Sequence, residues 1–451
     1  MVQVTTIAGS GARYQSVDGI GMAARFHNPS YVCANETHLF VSDTGSTCIR
    51  RIDLATNAVT TLAGSLEGYA DGVGAAARFD FPSGLALKGH DLYVADYNNN
   101  RIRCVNIETG QVTTVAGNGR TSDREGWNPE YELNAKLHGI GTDAIVPSPA
   151  GLVIRNNILY FTNSSRHVGT VDLDTMTVGT LHANYEGNTS PFHQPIQVAT
   201  MGDDLCVLDA DHDNFPQRIF VLKPNGQATL LYGLRAIYGS YRDFIIGASP
   251  TKAQQESVLQ YPYGMTTIRN ELFVADSGHH RIVRVTPGPT AYGQGRLSKV
   301  AGLISYEEHN PATHQIETRE NGSGSIDGSE DVARFVAPTG VVAIGDDLYV
   351  VDTTACQVRK ISGIPFGISS RMPNLAKVQA IKNVYELRTG TSSAMGNSPI
   401  GKIYEFANVK SPPRGSKAGG ALRKTLRKTL RKSRRHTKRT QRTQRTQSKR
   451  A

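Results

Sequence analysis

Six pentads of one design run along the 451-residue chain. They are Leu39–Asp43, Leu92–Asp96, Leu159–Asn163, Leu205–Asp209, Leu272–Asp276 and Leu348–Asp352. Each opens on Leu, continues with aromatic, β-branched or other mainly apolar residues, and closes on Asp or Asn. That composition predicts one short strand per copy. A unit repeated in this way cannot bury its own faces and must stack on its neighbours. The pentads therefore require six copies of one small sheet, each covering the next.

The sequence around the pentads completes the sheet. Strand a follows a proline, as in Pro82–Leu87, Pro149–Ile154 and Pro338–Ala343, with looser versions from Pro29, Pro195 and Pro262. The pentad is strand b, reached through a short polar turn. Strand c is clearest in Arg101–Val105 and Arg281–Val285, and strand d in Val59–Gly64, Val112–Gly117 and Leu297–Gly302. Weaker forms of strand d lie near Val178 and Ala228. Six a–b–c triplets occur, but only five strands d follow them. The missing copy stands at the other end of the chain, as Val4–Gly9. A first strand that completes the last sheet closes a circular array and removes its open edges. The expected fold is all-β: a six-bladed β-propeller closed by the N-terminal strand.

The full unit, seen in Asp71-Gly-Val-Gly-Ala-Ala-Ala-Arg-Phe79, Pro82, Gly84, Leu92–Asp96, Asn99, Arg101 and Val112–Gly117, resembles the NHL repeat. The resemblance covers roughly residues 2–361 and is specific in repeats one, two, five and six. Repeats three and four keep the pentad but lack the Asp-Gly-x-Gly turn. Within the unit, Asp96 and Arg101, like Asp276 and Arg281, bracket the b–c turn and are expected to pair across it. Repeats one and six have Cys48 and Gln357 at the arginine's position and so are expected to lack that partner. Phe26, Phe79 and Phe335 are expected to wedge between blades.

Propellers of similar shape include amidating lyases and sugar lactonases with a metal near the axis. The six strands a that line the axis contain no His, Asp or Glu, and only Cys33 among thiols. A catalytic metal needs about three converging protein ligands, so no cofactor and no catalysis are expected. One loop carries alternate carboxylates, Asp209, Asp211 and Asp213, as a calcium loop begins. It lacks the sharp-turn glycine, where Asn214 stands, and the closing Glu, where Phe220 stands. A solvated acidic turn is the first reading and calcium the second. The longest connections are those from d to the next a, near residues 118–148, 232–261 and 303–337. They emerge on the same face as the b–c turns. They bring Trp127, Tyr131, Tyr238, Tyr241 and Phe244 there, residue types suited to anchoring a protein partner.

The formal charge of +10 conceals two parts. Residues 411–451 hold 16 Lys and Arg and no acidic residue, leaving 33 basic against 39 acidic side chains in the rest. The third long connection, residues 303–337, has seven acidic and two basic side chains, which opposes phosphate binding by the propeller. TRIM-class NHL propellers read single-stranded RNA on a basic face, and the resemblance keeps RNA binding as an alternative. A metal-dependent lyase or lactonase with loop-borne ligands is the third reading.

The tail repeats Leu-Arg-Lys-Thr and Arg-Thr-Gln. Its cations Arg423, Lys424, Arg427, Lys428, Arg431, Lys432, Arg434, Arg435, Lys438 and Arg439 suit nucleic acid or another polyanion. With almost no apolar content the tail is expected to be disordered, and it resembles the basic tails of proteins from large DNA viruses. Five cysteines without CxxC spacing suggest a reducing compartment. The chain shows no apolar signal-peptide core and no apolar run of about 18 residues. An intracellular protein without a membrane span is expected. Its parts are a propeller over 1–361, an unassigned extension over 362–410 and the tail over 411–451. The first function expected is a scaffold that holds a protein partner on the loop-rich face.

Overall fold

The computed structural model describes residues 1–11, 16–121, 137–163, 167–185, 191–210, 217–233, 258–286, 295–303, 306–309, 316–319 and 324–366, with backbone alone for 306–309 and 316–319. Met1–Pro365 form one compact unit. The sequence expectations for the extension and the tail fall, from residue 367 onward, outside the described residues.

Each pentad is a strand, and each belongs to its own antiparallel sheet. In blade one, strands a to d are Pro29–Ala34, His38–Asp43, Cys48–Asp53 and Ala58–Ala63. Blade two repeats them as Pro82–Lys88, Asp91–Asp96, Arg101–Asn106 and Gln111–Ala116. Blades three, four and five follow the same order, with strands b at Ile158–Thr162, Asp204–Asp209 and Glu271–Asp276. Blade six takes Pro338–Ile344, Asp347–Asp352 and Gln357–Ser362 from the end of the repeats. Its strand d is Gln3–Ala8, with Gln3 opposite Ser362 and Thr6 opposite Arg359. The chain is therefore a six-bladed propeller closed by its N-terminal strand.

The core lies between blades, which explains why the pentads are mainly apolar up to their closing residue. Successive residues of a strand face opposite sides of its sheet. In blade two, Leu92 and Val94 pack with Phe40, Ile49 and Ala63 of blade one. Tyr93 and Ala95 pack with Leu152, Leu159 and Phe161 of blade three. With a neighbour on each side, both faces are largely apolar, and the exceptions Ser42 and Thr162 donate their hydroxyls to carbonyls of the next blade. Phe26, Phe79 and Phe335 are fully buried. Phe79 sits in the cluster shared by blades one and two, and Phe26 in the cluster shared by blades six and one.

The outer turn, Asp-Gly-x-Gly in blades one and two and a variant of it in blades three and six, adds a two-residue outer strand to four blades. Gly19–Ile20, Gly72–Val73, Gly139–Ile140 and Gly328–Ser329 each pair with strand d of their own blade. Blade three thus has this turn, carried by His138-Gly139-Ile140-Gly141, although the sequence pattern lacked its Asp. The second glycine needs positive φ, being +54° at Gly74 and +52° at Gly141. It also joins two blades. The Gly74 carbonyl accepts from Gly64 N of blade one at 3.1 Å, while its N–H donates to Gly110 O of blade two at 2.9 Å.

Around the axis, hydroxyls close the ring from blade to blade. Thr44 Oγ1 donates to Pro82 O at 2.7 Å, Thr162 Oγ1 to Ile196 O at 3.1 Å, and Thr353 Oγ1 to Pro29 O at 2.6 Å. Ser277 Oγ donates to Pro338 O. The glycine of the Pro-x-Gly start of strand a permits this closeness. A Cβ on Gly84 would overlap Ala150 O of the next blade, whose carbonyl already accepts from Gly84 N at 3.0 Å. Gly84→Ala should therefore force blades two and three apart. The expected loss is about 1–3 kcal/mol, read as a lower urea midpoint at unchanged slope. An unchanged midpoint would mean the blades are less tightly seated than this contact requires.

Candidate functional site

Among the described residues, buried ion pairs hold the b–c turns to the ends of the d–a connections beside them. Asp43, Asp96, Asp276 and Asp352, the last residues of strands b, are all fully buried. In blades four and five the arginine that begins strand c meets this carboxylate. Arg218 Nη2 stands 2.6 Å from Asp209 and Arg281 Nε 2.7 Å from Asp276. In blades one, two and six the partner is the third residue of strand c. Arg50 lies 3.0 Å from Asp43, Arg103 2.7 Å from Asp96, and Arg359 3.8 Å from Asp352. This corrects two expectations. Arg101 does not pair with Asp96: it donates to Asn99 O and Asn118 O and lies 3.8 Å from the Tyr69 ring centroid. Blades one and six do have a partner arginine, two residues beyond Cys48 and Gln357.

The third-position arginine also reads the Asp of the outer turn. Arg103 donates to Asp71 Oδ1 at 2.6 Å and to the carbonyls of Ala70 and Arg78 at 2.8 and 3.1 Å. Its guanidinium lies 5.1 Å from the centre of the Phe79 ring. Asp71 in turn accepts from Thr114 N and Oγ1 of strand d. Asp18 with Thr61 and Asp327 with Thr6 repeat the arrangement. In blades one, two and six the repeated letters are thus one bonded unit, tying outer turn, strand d, strand c and strand b together. Burial pushes the Asp43, Asp96 and Asp352 carboxyls above the usual range despite these partners. At Asp276 burial also pushes upward, but His279 and Arg281 outweigh it and the pKa is lowered.

Asp209, the first residue of the calcium candidate, is occupied. It accepts from His193 N at 2.9 Å, Gln194 N at 2.7 Å and Arg218 at 2.6 Å. Asp211 and Asp213 lie outside the described residues, as do Trp127, Tyr131, Tyr238, Tyr241, Phe244 and the tail cations from Arg423 to Arg439. Among the described residues no three His, Cys, Asp or Glu side chains converge as metal ligands. Among them, too, no helix is long and apolar enough to cross a membrane.

The structure brings forward a set that the sequence reading passed over. Tyr31 and Tyr263 begin strands a of blades one and five, Tyr97 follows strand b of blade two, and Phe81 and Tyr261 precede the strand-a prolines of blades two and five. All five stand at the end of strand a nearest the loop face. Phe81 and Tyr97 are in ring contact at 5.7 Å. Burial raises the Tyr31 phenol, and the nearby phenols of Tyr263 and Tyr97 raise it further. The available signal was the break in the Pro-x-Gly pattern. Tyr31 occupies the glycine's place in blade one, and Tyr263 the small residue's place in blade five.

Comparison with known proteins agrees with the fold. The family model of the NHL repeat matches residues 79–105. NHL repeat-containing protein 2 of Bos taurus is 33% identical over 295 residues, which are 58% of this chain and 39% of that protein. Its Homo sapiens counterpart is 27% identical over 276 residues, 55% of this chain and 37% of the relative. The chain thus spans less than two fifths of the length of these curated relatives. Among solved structures, a structural genomics protein of unknown function from Bacteroides thetaiotaomicron superposes with a TM-score of 0.53 at 15% identity, over 80% of this chain and 76% of that one. At that identity the likeness is one of fold.

Proposed function

Because the chain carries NHL repeats folded into a six-bladed β-propeller, we propose that it is a non-enzymatic scaffold. It holds a protein partner on the face of the b–c turns and d–a connections, and its basic tail tethers it to nucleic acid or another polyanion. The observation that carries this reading is the use made of the chemistry-bearing side chains. The strand-b carboxylates on that face are bound by arginines and backbone N–H groups, with Asp96 accepting from Arg103 at 2.7 Å and from Asp80 N at 2.8 Å. Groups so engaged anchor loops and are not free to transfer protons or hold a metal. A rigid frame presenting variable connections is how binding surfaces are built on repeat folds. The 16 cations of residues 411–451 support the tether, since they release counterions from any polyanion they meet.

The test is fluorescence anisotropy of the full chain and of residues 1–410 with single-stranded RNA and duplex DNA at about 50 and 200 mM salt. The full chain should bind both without preference and weaken by about 10³-fold or more at the higher salt. The shortened chain should bind neither. Selective, salt-resistant RNA binding by residues 1–410 would replace the scaffold reading with that of an RNA-reading propeller.

A further inference from the structure

One letter of the repeat lends its backbone to the bonded unit and keeps its side chain out of it. Arg334, Arg25 and Arg78 occupy one position in blades six, one and two, four residues before the proline that opens strand a. These blades are consecutive, because the ring closes between six and one. Their backbones are held alike. Each pairs across its outer turn, with Ile326, Val17 and Ala70, and each carbonyl accepts from a buried arginine, Arg359, Arg50 or Arg103. Arg25 and Arg78 are exposed. Among the described residues the Arg78 and Arg334 guanidinium groups enter no ion pair and donate no hydrogen bond. Arg334 Nε is buried without a partner.

The fold does not require arginine at this position. In blade three the same backbone carries Ile145, whose N–H donates to His138 O at 3.1 Å as Arg78 N donates to Ala70 O at 3.0 Å. Pro191 and Val258 take the position in blades four and five. Ile145 and Pro191 are buried. One half of the ring thus carries cations, and the other half apolar residues, at equivalent points. Guanidinium forks on consecutive blades suit carboxylates, which bind through two parallel N–H bonds. Acids stand on the same connections, Glu67 exposed in blade two and Glu330 half-buried in blade six. The phosphates of a nucleic acid, charged at every step, would meet these acids as well as the arginines. A peptide can place its carboxylates at the arginines alone.

We propose that Arg334, Arg25 and Arg78 form a docking arc across blades six, one and two for an acidic segment of a protein partner. This rests on the scaffold reading and names the partner's chemistry.

The probe is fluorescein-labelled decaglutamate, with a Gly-Ser decapeptide as control, at about 50 and 200 mM salt. It is applied to residues 1–410, which keep the compact unit Met1–Pro365 and lack the 16 tail cations that would bind the same probe. Decaglutamate should bind more tightly than the control and weaken at the higher salt. Arg78→Gln/Arg334→Gln should weaken it about fivefold or more at the lower salt. Lys88→Gln/Arg155→Gln, which removes the same charge from a–b turns, should not. Both variants should keep the parent's unfolding midpoint, which is measured alongside. In the full chain, where the tail adds sites of its own, calorimetry should show the first variant binding one decaglutamate fewer. Binding no tighter than the control, an equal loss in the two variants, or an unchanged count in the full chain overturns the proposal. So does single-stranded RNA binding by residues 1–410 that the first variant abolishes, which would give the arc to phosphates. A partner cross-linked to residues 1–410 that the first variant still holds removes the arc as its site and leaves the scaffold reading in place.

Discussion

A chain lacking residues 1–9 is expected to lose the cooperative unfolding of the propeller, not merely to unfold at a slightly lower temperature. Those residues supply the outer strand of blade six, which pairs along its length with Gln357–Ser362. Val4 and Ala8 are fully buried and Val2 is 1% exposed. Thr6 gives both its N–H and its hydroxyl to Asp327, the acid that also binds Arg359. Deletion would open strand c of blade six as an edge, expose Arg359 and uncover the cluster that blade six shares with blade one. Burying a valine contributes about 1.5–3 kcal/mol. The sum with the lost pairing approaches the roughly 5–15 kcal/mol by which a domain is stable. Circular dichroism melts of the full and shortened chains decide the matter. A shortened chain that melts within about 1 kcal/mol of the parent would mean that the first strand decorates a ring already closed without it. The closing pair joins residues at opposite ends of the repeats, so its formation should come late in folding.

Replacing Arg103 with alanine should destabilise the propeller by about 3–5 kcal/mol near pH 8, because it leaves the buried Asp96 carboxylate without its cation. The penalty should shrink as the pH is lowered toward about 4.5. Burial already raises Asp96, and Arg103 is among the groups that pull it down, so removing Arg103 raises it further. A carboxyl whose folded pKa lies above its unfolded value of about 3.9 contributes stability that is complete below the unfolded value. That contribution is lost as the pH climbs through the folded one, which makes the variant progressively weaker in alkali. Asp276 has the opposite sign: its pKa is lowered, so its contribution is present above about 3.9 and disappears as acid titrates it. The check is a set of urea midpoints for the parent, Arg103→Ala and the Asp96→Leu/Arg103→Met double variant at the two pH values. The double variant removes both charges and should recover much of the loss at pH 8. An Arg103→Ala penalty that is equal at both pH values would show that Asp96 stays ionised without its partner.

Much of the architecture was legible because its signals are local. Leu92–Asp96 announces a strand by itself, and five sister pentads set the number of blades. The likeness of Val4–Gly9 to Val112–Gly117 marked the closing strand before any contact was known. The arginine pairing was not legible in the same way. Asp96 lies directly opposite Arg101, but Arg103, two residues on, points to the same side of its strand. A strand pattern cannot choose between them. The outer turn makes the choice, since Asp71 and the carbonyls of Ala70 and Arg78 gather at the third position. Where the third residue is apolar, as at Phe220 and Val283, the first arginine takes over. The joint occurrence of the turn's Asp with a third-position Arg was the usable signal. Blade three's outer turn escaped notice for a related reason: it needs the glycines Gly139 and Gly141, which the backbone conformation demands, and not the Asp.

The sequence by itself determined the strands, their count and the circular closure, because hydrophobic runs, turn glycines and repetition act over a few residues at a time. Only the tertiary structure decided which arginine answers each buried carboxylate and which aromatic residues meet at the axis. Tyr31, Tyr97 and Tyr263 come from three blades, separated by dozens to hundreds of residues. They share a surface solely because six sheets are packed in a ring, which no local pattern along the chain encodes.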